Sequence, residues 1–108
     1  MSYVYPHYLI KPHIALDIRD SIHYHALKTG KFDRYKILIE ETNQKEHSVK
    51  IFKNLLQNFS VDNMDKIKVK YCDIIKKFII VDGLHRISIL LYKNVISESI
   101  PLSMLQII

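Results

Sequence analysis

The sequence is poor in the residues that staple, break or loosen a chain, with one cysteine, three prolines, two glycines and no tryptophan in 108 residues. As the single cysteine, Cys72 cannot form an internal disulfide, so a reducing cytoplasm is the expected compartment. The N-terminal stretch has no basic segment leading into a long apolar run and a small-residue cleavage site, so a secretory leader is not expected. Long apolar runs are missing throughout. Phe78 to Val81 and Ile87 to Tyr92 fall far short of the roughly 18 residues that a membrane-spanning helix needs, so no membrane span is expected. Arginine is scarce as well. A net charge of +5 and a pI near 9.3 suit a polyanionic partner. However, 13 of the 16 basic residues are Lys, and only Arg19, Arg34 and Arg86 carry the fork that reads base edges. The lysines are therefore read as solvated faces, and nucleic acid is not the expected partner.

What is present suits a packed globule. Hydrophobic residues make up 48% of the chain and charged residues 25%, and no repeat or linker divides it, so residues 1–108 are expected to form one domain of α/β (α+β) class with a small mixed sheet and flanking helices. Pro6 and Pro12 favour extended geometry before them, and Tyr8 to Lys11 is expected to be a short strand. Asp20 or Ser21 can cap a helix that Gly30 ends, and a second helix is expected from Asp33 to Glu41. Ser48 stands at a helix N-cap position ahead of Val49, Phe52, Leu55, Leu56 and Phe59, whose spacings of three and four make one apolar stripe. Asp62 to Asp65 reads as a turn. Ile67, Val69 and Tyr71 then alternate with lysines, as in a strand with one wet face. Phe78 to Val81 has no such alternation and is expected to be a strand buried on both faces, paired with the preceding one as a hairpin through Cys72 to Lys77. Leu84, Ile87, Leu90 and Leu91 mark a helix, and Ile100 to Ile107 a last strand.

The junction between that buried strand and helix carries the chemistry. A glycine at a strand end followed by polar side chains in the first helical turn is the layout of an anion site. The first N–H groups of a helix have no intrahelical partner, and the helix dipole adds positive potential there. Gly83 permits close backbone approach, Arg86 can grip two oxygens with its fork, and His85 can donate a hydrogen bond or move a proton. Asp82 can cap the helix, bind a metal or act as a base. The same residues also suit a purely structural turn, with Asp82 as cap and His85 and Arg86 on the surface.

Val81-Asp-Gly-Leu-His-Arg-Ile-Ser-Ile-Leu-Leu91 resembles the signature of the ParB/sulfiredoxin superfamily. In that family a strand runs into an Asp-Gly-x-His-Arg turn, an apolar helix follows, and a Pro often introduces a short final strand, as Ser99-Ile-Pro-Leu-Ser-Met-Leu105 would here. The resemblance covers 45–107 and leaves 1–44 as a separate N-terminal part. It implies that Gly83, Leu84, His85 and Arg86 bind the phosphate of a nucleotide or phosphorylated metabolite, with Asp82 at the site. Position 84 is Leu where sulfiredoxins place a catalytic cysteine, so reduction of sulfinic acids is not implied. The second Arg-rich motif and helix-turn-helix of chromosome-partitioning members do not appear, so DNA segregation is not implied either. The stand-alone ParB-like proteins remain. For them the resemblance implies a small-molecule kinase or phosphotransferase using ATP/ADP or CTP with Mg²⁺, linked to cell-surface polysaccharide biosynthesis. The alternatives are a non-catalytic nucleotide-sensing module and a nucleic-acid binder or nuclease.

A kinase needs a base for the substrate hydroxyl and charge to offset the moving phosphoryl group. Glu46 and His47, just before Ser48, are candidates at a second helix start, beside Asp82 and His85. Glu46 could equally offset the helix dipole, with His47 exposed. His23-Tyr24-His25 would share a face only if extended and lacks a third ligand at zinc spacing, so no metal site is expected. His7 and His13 read as loop residues. Tyr3, Tyr5, Tyr8, Tyr24 and Tyr35 could stack on a base, close a core or contact a second copy, which keeps a homodimer among the expected partners. Cys72 reads as a small buried hydrophobe.

Overall fold

The computed structural model describes residues 3–4, 6–11, 14–96 and 100–108, with side chains from residue 16 onward except at 63. The expectations for Tyr5 and His13 lie outside the described residues, and those for Tyr3, His7 and Tyr8 concern side chains that are not described. Strands β1 (Tyr3–Val4), β2 (Pro6–Lys11) and β3 (Ile14–Leu16) open the chain, and helices α1 (Ile22–Thr29), α2 (Asp33–Glu41) and α3 (Val49–Asn58) follow. Then come β4 (Ile67–Cys72), β5 (Lys77–Asp82), α4 (Leu84–Tyr92), β6 (Ile100–Pro101) and β7 (Leu105–Ile107). The sheet is mixed, in the order β3-β2-β5-β4-β7, and β1 pairs with β6 apart from it. The fold is thus α+β, a small mixed sheet with flanking helices.

Local chemistry sets the helix ends. The Ser21 side chain accepts a hydrogen bond from the Tyr24 N–H at 3.1 Å, capping α1, and Gly30 at φ 73° closes it in the left-handed conformation that glycine adopts without strain. Ser48 caps α3 in the same way by accepting from the Ile51 N–H. Of α3's apolar stripe only Phe52 is fully buried, whereas Leu55 is surface-exposed, because the helix lies at the rim of the fold. Helix α4 is the central one. Ile87, Leu90 and Leu91 pack with Ile67 and Val69 of β4, and Ile89 joins Ala26, Leu27, Tyr35, Ile39 and Phe52 in a second cluster.

Three expectations need correction. β4 and β5 do form the expected antiparallel hairpin, but β5 is not buried on both faces. Phe78 and Ile80 pack on the core, while Val81 on the opposite face is 53% exposed, because the helices cover only one side of this part of the sheet. The last strand is also not continuous. A 3₁₀ turn at Leu102–Met104 separates β6, paired with β1, from β7, paired parallel to β4, so the segment serves two different partners. Cys72 is half-buried rather than fully enclosed.

Ser21 is 1% exposed, so removing its hydroxyl leaves the Tyr24 N–H without its cap inside the fold. Ser21→Ala should lower stability by about 1 kcal/mol. Urea denaturation checks this, and an unchanged midpoint would show that the cap contributes nothing.

Candidate functional site

The Asp82–Arg86 turn is where sheet, core and surface meet. Gly83 is the N-cap of α4 at φ 115°, and among the described residues no side chain caps this helix start. Leu84, His85 and Arg86 therefore begin the helix with backbone N–H groups that a bound anion could satisfy. A Cβ at position 83 would come within 3.1 Å of two Ile67 side-chain carbons and the Arg86 guanidinium, so glycine is required both by its dihedral and by the close approach of Ile67.

The Arg86 guanidinium is already engaged within the chain. One guanidinium nitrogen, Nη1, donates to the carbonyls of Asp65 at 2.6 Å and Lys66 at 3.3 Å, and Nη2 faces the Asp82 carboxylate at 3.3 Å. The fork is occupied by the chain itself, so the expected bidentate grip on a ligand would require Asp82 to give way. Asp82 is 64% exposed in its side chain and can do so at small cost, since exposed ion pairs contribute only about 0–1 kcal/mol.

Two cavities border the turn, and both are lined by His47, Asp82, Gly83 and His85. One, of about 260 Å³, is completed by Arg86 and the apolar wall Ile51, Phe52 and Leu55. The other, of about 240 Å³, is completed by residues that include His23, Leu38, Ile80 and Val81. His85 is the hinge between them. His47 stacks on it with ring centroids 4.5 Å apart and 21° between planes, and His23 meets it edge-on at 4.5 Å. The Tyr35 hydroxyl donates to the His47 carbonyl and lies 2.8 Å from His85 Nε2. Burial, reinforced by the neighbouring His47, holds the His23 pKa down at about 4. Burial together with His23, His47 and Arg86 holds His85 at about 3. Burial also pushes the Tyr35 hydroxyl well above its ordinary value. At neutral pH His23 and His85 are therefore uncharged, and the site's positive potential comes from Arg86 and the helix start.

Of the residues anticipated for chemistry, His47, Asp82, Gly83 and His85 converge, and the Leu84 side chain turns into the core. Glu46 does not join them. It lies exposed in a 3₁₀ turn, Lys45–His47, and among the described residues lines neither cavity. Glu46 and His47 directly precede the Ser48 cap of α3, as expected, and the 3₁₀ geometry lays His47 against His85 instead of leaving it exposed. His23 and Tyr35 were missed. The signal was in their spacing, because His23 is three and four residues before the buried Ala26 and Leu27, and Tyr35 is four before Ile39. Among the described residues no group of three or more His, Cys, Asp or Glu side chains is arranged to hold a metal ion, and no helix is long and apolar enough to cross a membrane. No family model, curated protein or solved structure matches the chain.

The depressed histidine pKa values couple stability to pH. In the unfolded chain both groups protonate near 6.5, whereas in the folded chain they stay neutral down to about 4 and about 3. Between these values the unfolded state binds more protons, so stability rises with pH across that window and falls on acidification. Lowering the pH from 7 to 5 should cost on the order of 2 kcal/mol for each of the two histidines. Urea midpoints at the two pH values measure it, and equal midpoints would contradict the buried neutral state.

Proposed function

We propose that the chain binds the phosphate of a nucleotide or phosphorylated metabolite at the Asp82–Arg86 turn. The observation that carries this reading is the uncapped start of α4 beside a cavity whose wall combines Arg86 with Ile51, Phe52 and Leu55. The phosphate would sit on the backbone N–H groups of Leu84, His85 and Arg86, with Asp82 released from Arg86, and the organic part of the ligand would lie against the apolar wall. The resemblance of Val81 to Leu91 to the ParB/sulfiredoxin signature supports the same placement. A cytoplasmic phosphotransferase acting in cell-surface polysaccharide biosynthesis is the enzymatic form of the reading, with Asp82 as the base.

One observation favours the non-catalytic form, in which nucleotide binding serves as a signal. With Glu46 outside the site, Asp82 is the single carboxylate there among the described residues, and it already faces a guanidinium. Protein carboxylates alone would not cage Mg²⁺, which would arrive on the phosphates of the nucleotide.

Arg86→Ala is a poor probe, because it also removes the bonds to Asp65 and Lys66. Ile51 is better placed, as it lines the cavity and is 47% exposed. In titration calorimetry with ATP, ADP, CTP and GTP plus Mg²⁺, Ile51→Glu should weaken binding roughly two- to fivefold and Ile51→Lys strengthen it by a similar factor. Absence of binding by all four nucleotides, or identical affinities for both variants and the wild type, would remove the reading.

A further inference from the structure

The hydrogen bonds behind His85 decide which of its ring nitrogens carries the proton. The Tyr35 hydroxyl has one proton, and the carbonyl oxygen of His47 has none to give, so the bond between them uses the tyrosine proton. The Tyr35 hydroxyl oxygen also lies 2.8 Å from His85 Nε2, and with its proton committed it has only lone pairs left to offer there. His85 Nε2 must therefore be the donor. A neutral imidazole has a single N–H, so Nδ1 is left as an acceptor. Being bonded to Cγ, Nδ1 is the ring nitrogen nearer the backbone of the first turn of α4.

We propose that Tyr35 is a positioning residue that locks His85 in the Nε2–H tautomer, so that the site selects an oxyanion carrying its own proton, a hydrogen phosphate or a phosphate monoester monoanion. The ligand half rests on the reading under Proposed function, and the tautomer half stands independently of it. An oxyanion without a proton would set its lone pairs against that of Nδ1, whereas a P–OH group donates to it. Switching Nδ1 to a donor by protonation is opposed from every side. His23 on α1, His47 on the 3₁₀ turn and the adjacent Arg86 would repel the new charge, Phe52 on α3 presents an apolar ring at 4.9 Å, and the Asp82 carboxylate, 64% exposed, is screened by water whether or not it faces Arg86. Tyr35 itself is fully buried and thus held rigidly for the task.

Long-range ¹H–¹⁵N spectra of the full chain, recorded from pH 6 to pH 8, read the tautomer directly. Wild-type His85 should show a protonated Nε2 and an unprotonated Nδ1 throughout. In Tyr35→Phe the shifts should move to tautomer-averaged values or to the Nδ1–H form. Wild-type spectra showing Nδ1–H or an averaged pair would overturn the lock even if the variant fails to fold, and so would a variant that keeps pure Nε2–H. Calorimetry at pH 6 with inorganic phosphate and sulfate tests selection, because sulfate has no proton to offer there. Phosphate should bind about tenfold or more tightly than sulfate. Equal binding of the two ions overturns proton-based selection while leaving the phosphate site standing. Binding of neither overturns the site and the selection together, with the lock still judged on the spectra.

Discussion

A single guanidinium holds the Asp82–Arg86 turn to the sheet. Arg86 donates backward to the carbonyls of Asp65 and Lys66, just ahead of β4, and faces Asp82 at the end of β5, while its own backbone lies in the first turn of α4. Charge-assisted bonds to carbonyls are stronger than neutral ones, and the Arg86 side chain is only 17% exposed, although its partners lie at the surface. The approach of β4 to the turn is fixed at the same place by Ile67, which packs against the missing side chain of Gly83. Core and site thus share their contacts, and disturbing one disturbs the other.

This arrangement changes what the cation can contribute. With Nη1 engaged by carbonyls, only the guanidinium nitrogen facing Asp82 is left for a ligand, and the charge raises the potential at the helix start. Directional bonding there falls to the N–H groups of the first turn, which are rigid because Ile87 to Leu91 are buried. The chain's surplus of lysines adds a diffuse field around the molecule, with little bearing on the geometry of the site.

Behind the turn lies a dry cluster of aromatic rings. Tyr35, Phe52, His23, His47 and His85 meet mainly edge to face, with His47 on His85 the one stacked pair. Burial, and then the neighbouring imidazoles, keep His23 and His85 neutral. Neutrality makes their hydrogen bonds directional, and the Tyr35 hydroxyl sets that direction for His85.

Much of the secondary structure was legible because its signals are local. Ser21, Gly30 and Ser48 mark helix ends through bonds within four residues, and the alternation of Ile67 and Val69 with lysines reports one wet face. The Asp-Gly-Leu-His-Arg turn was legible for the same reason, as a glycine where a strand meets a helix. The depth of β5, the break between β6 and β7 and the task of Arg86 were not, since each depends on what packs against it from distant parts of the chain. Tyr35 and His85 are 50 residues apart, and the hydrogen bond between them exists only once α2 and α4 have packed. Sequence alone determined where the helices and the turn form, because backbone capping and side-chain periodicity act over one or two turns. Only the tertiary structure decided which nitrogen of His85 remains an acceptor, because that depends on a hydroxyl whose single proton is committed to a carbonyl on a third segment.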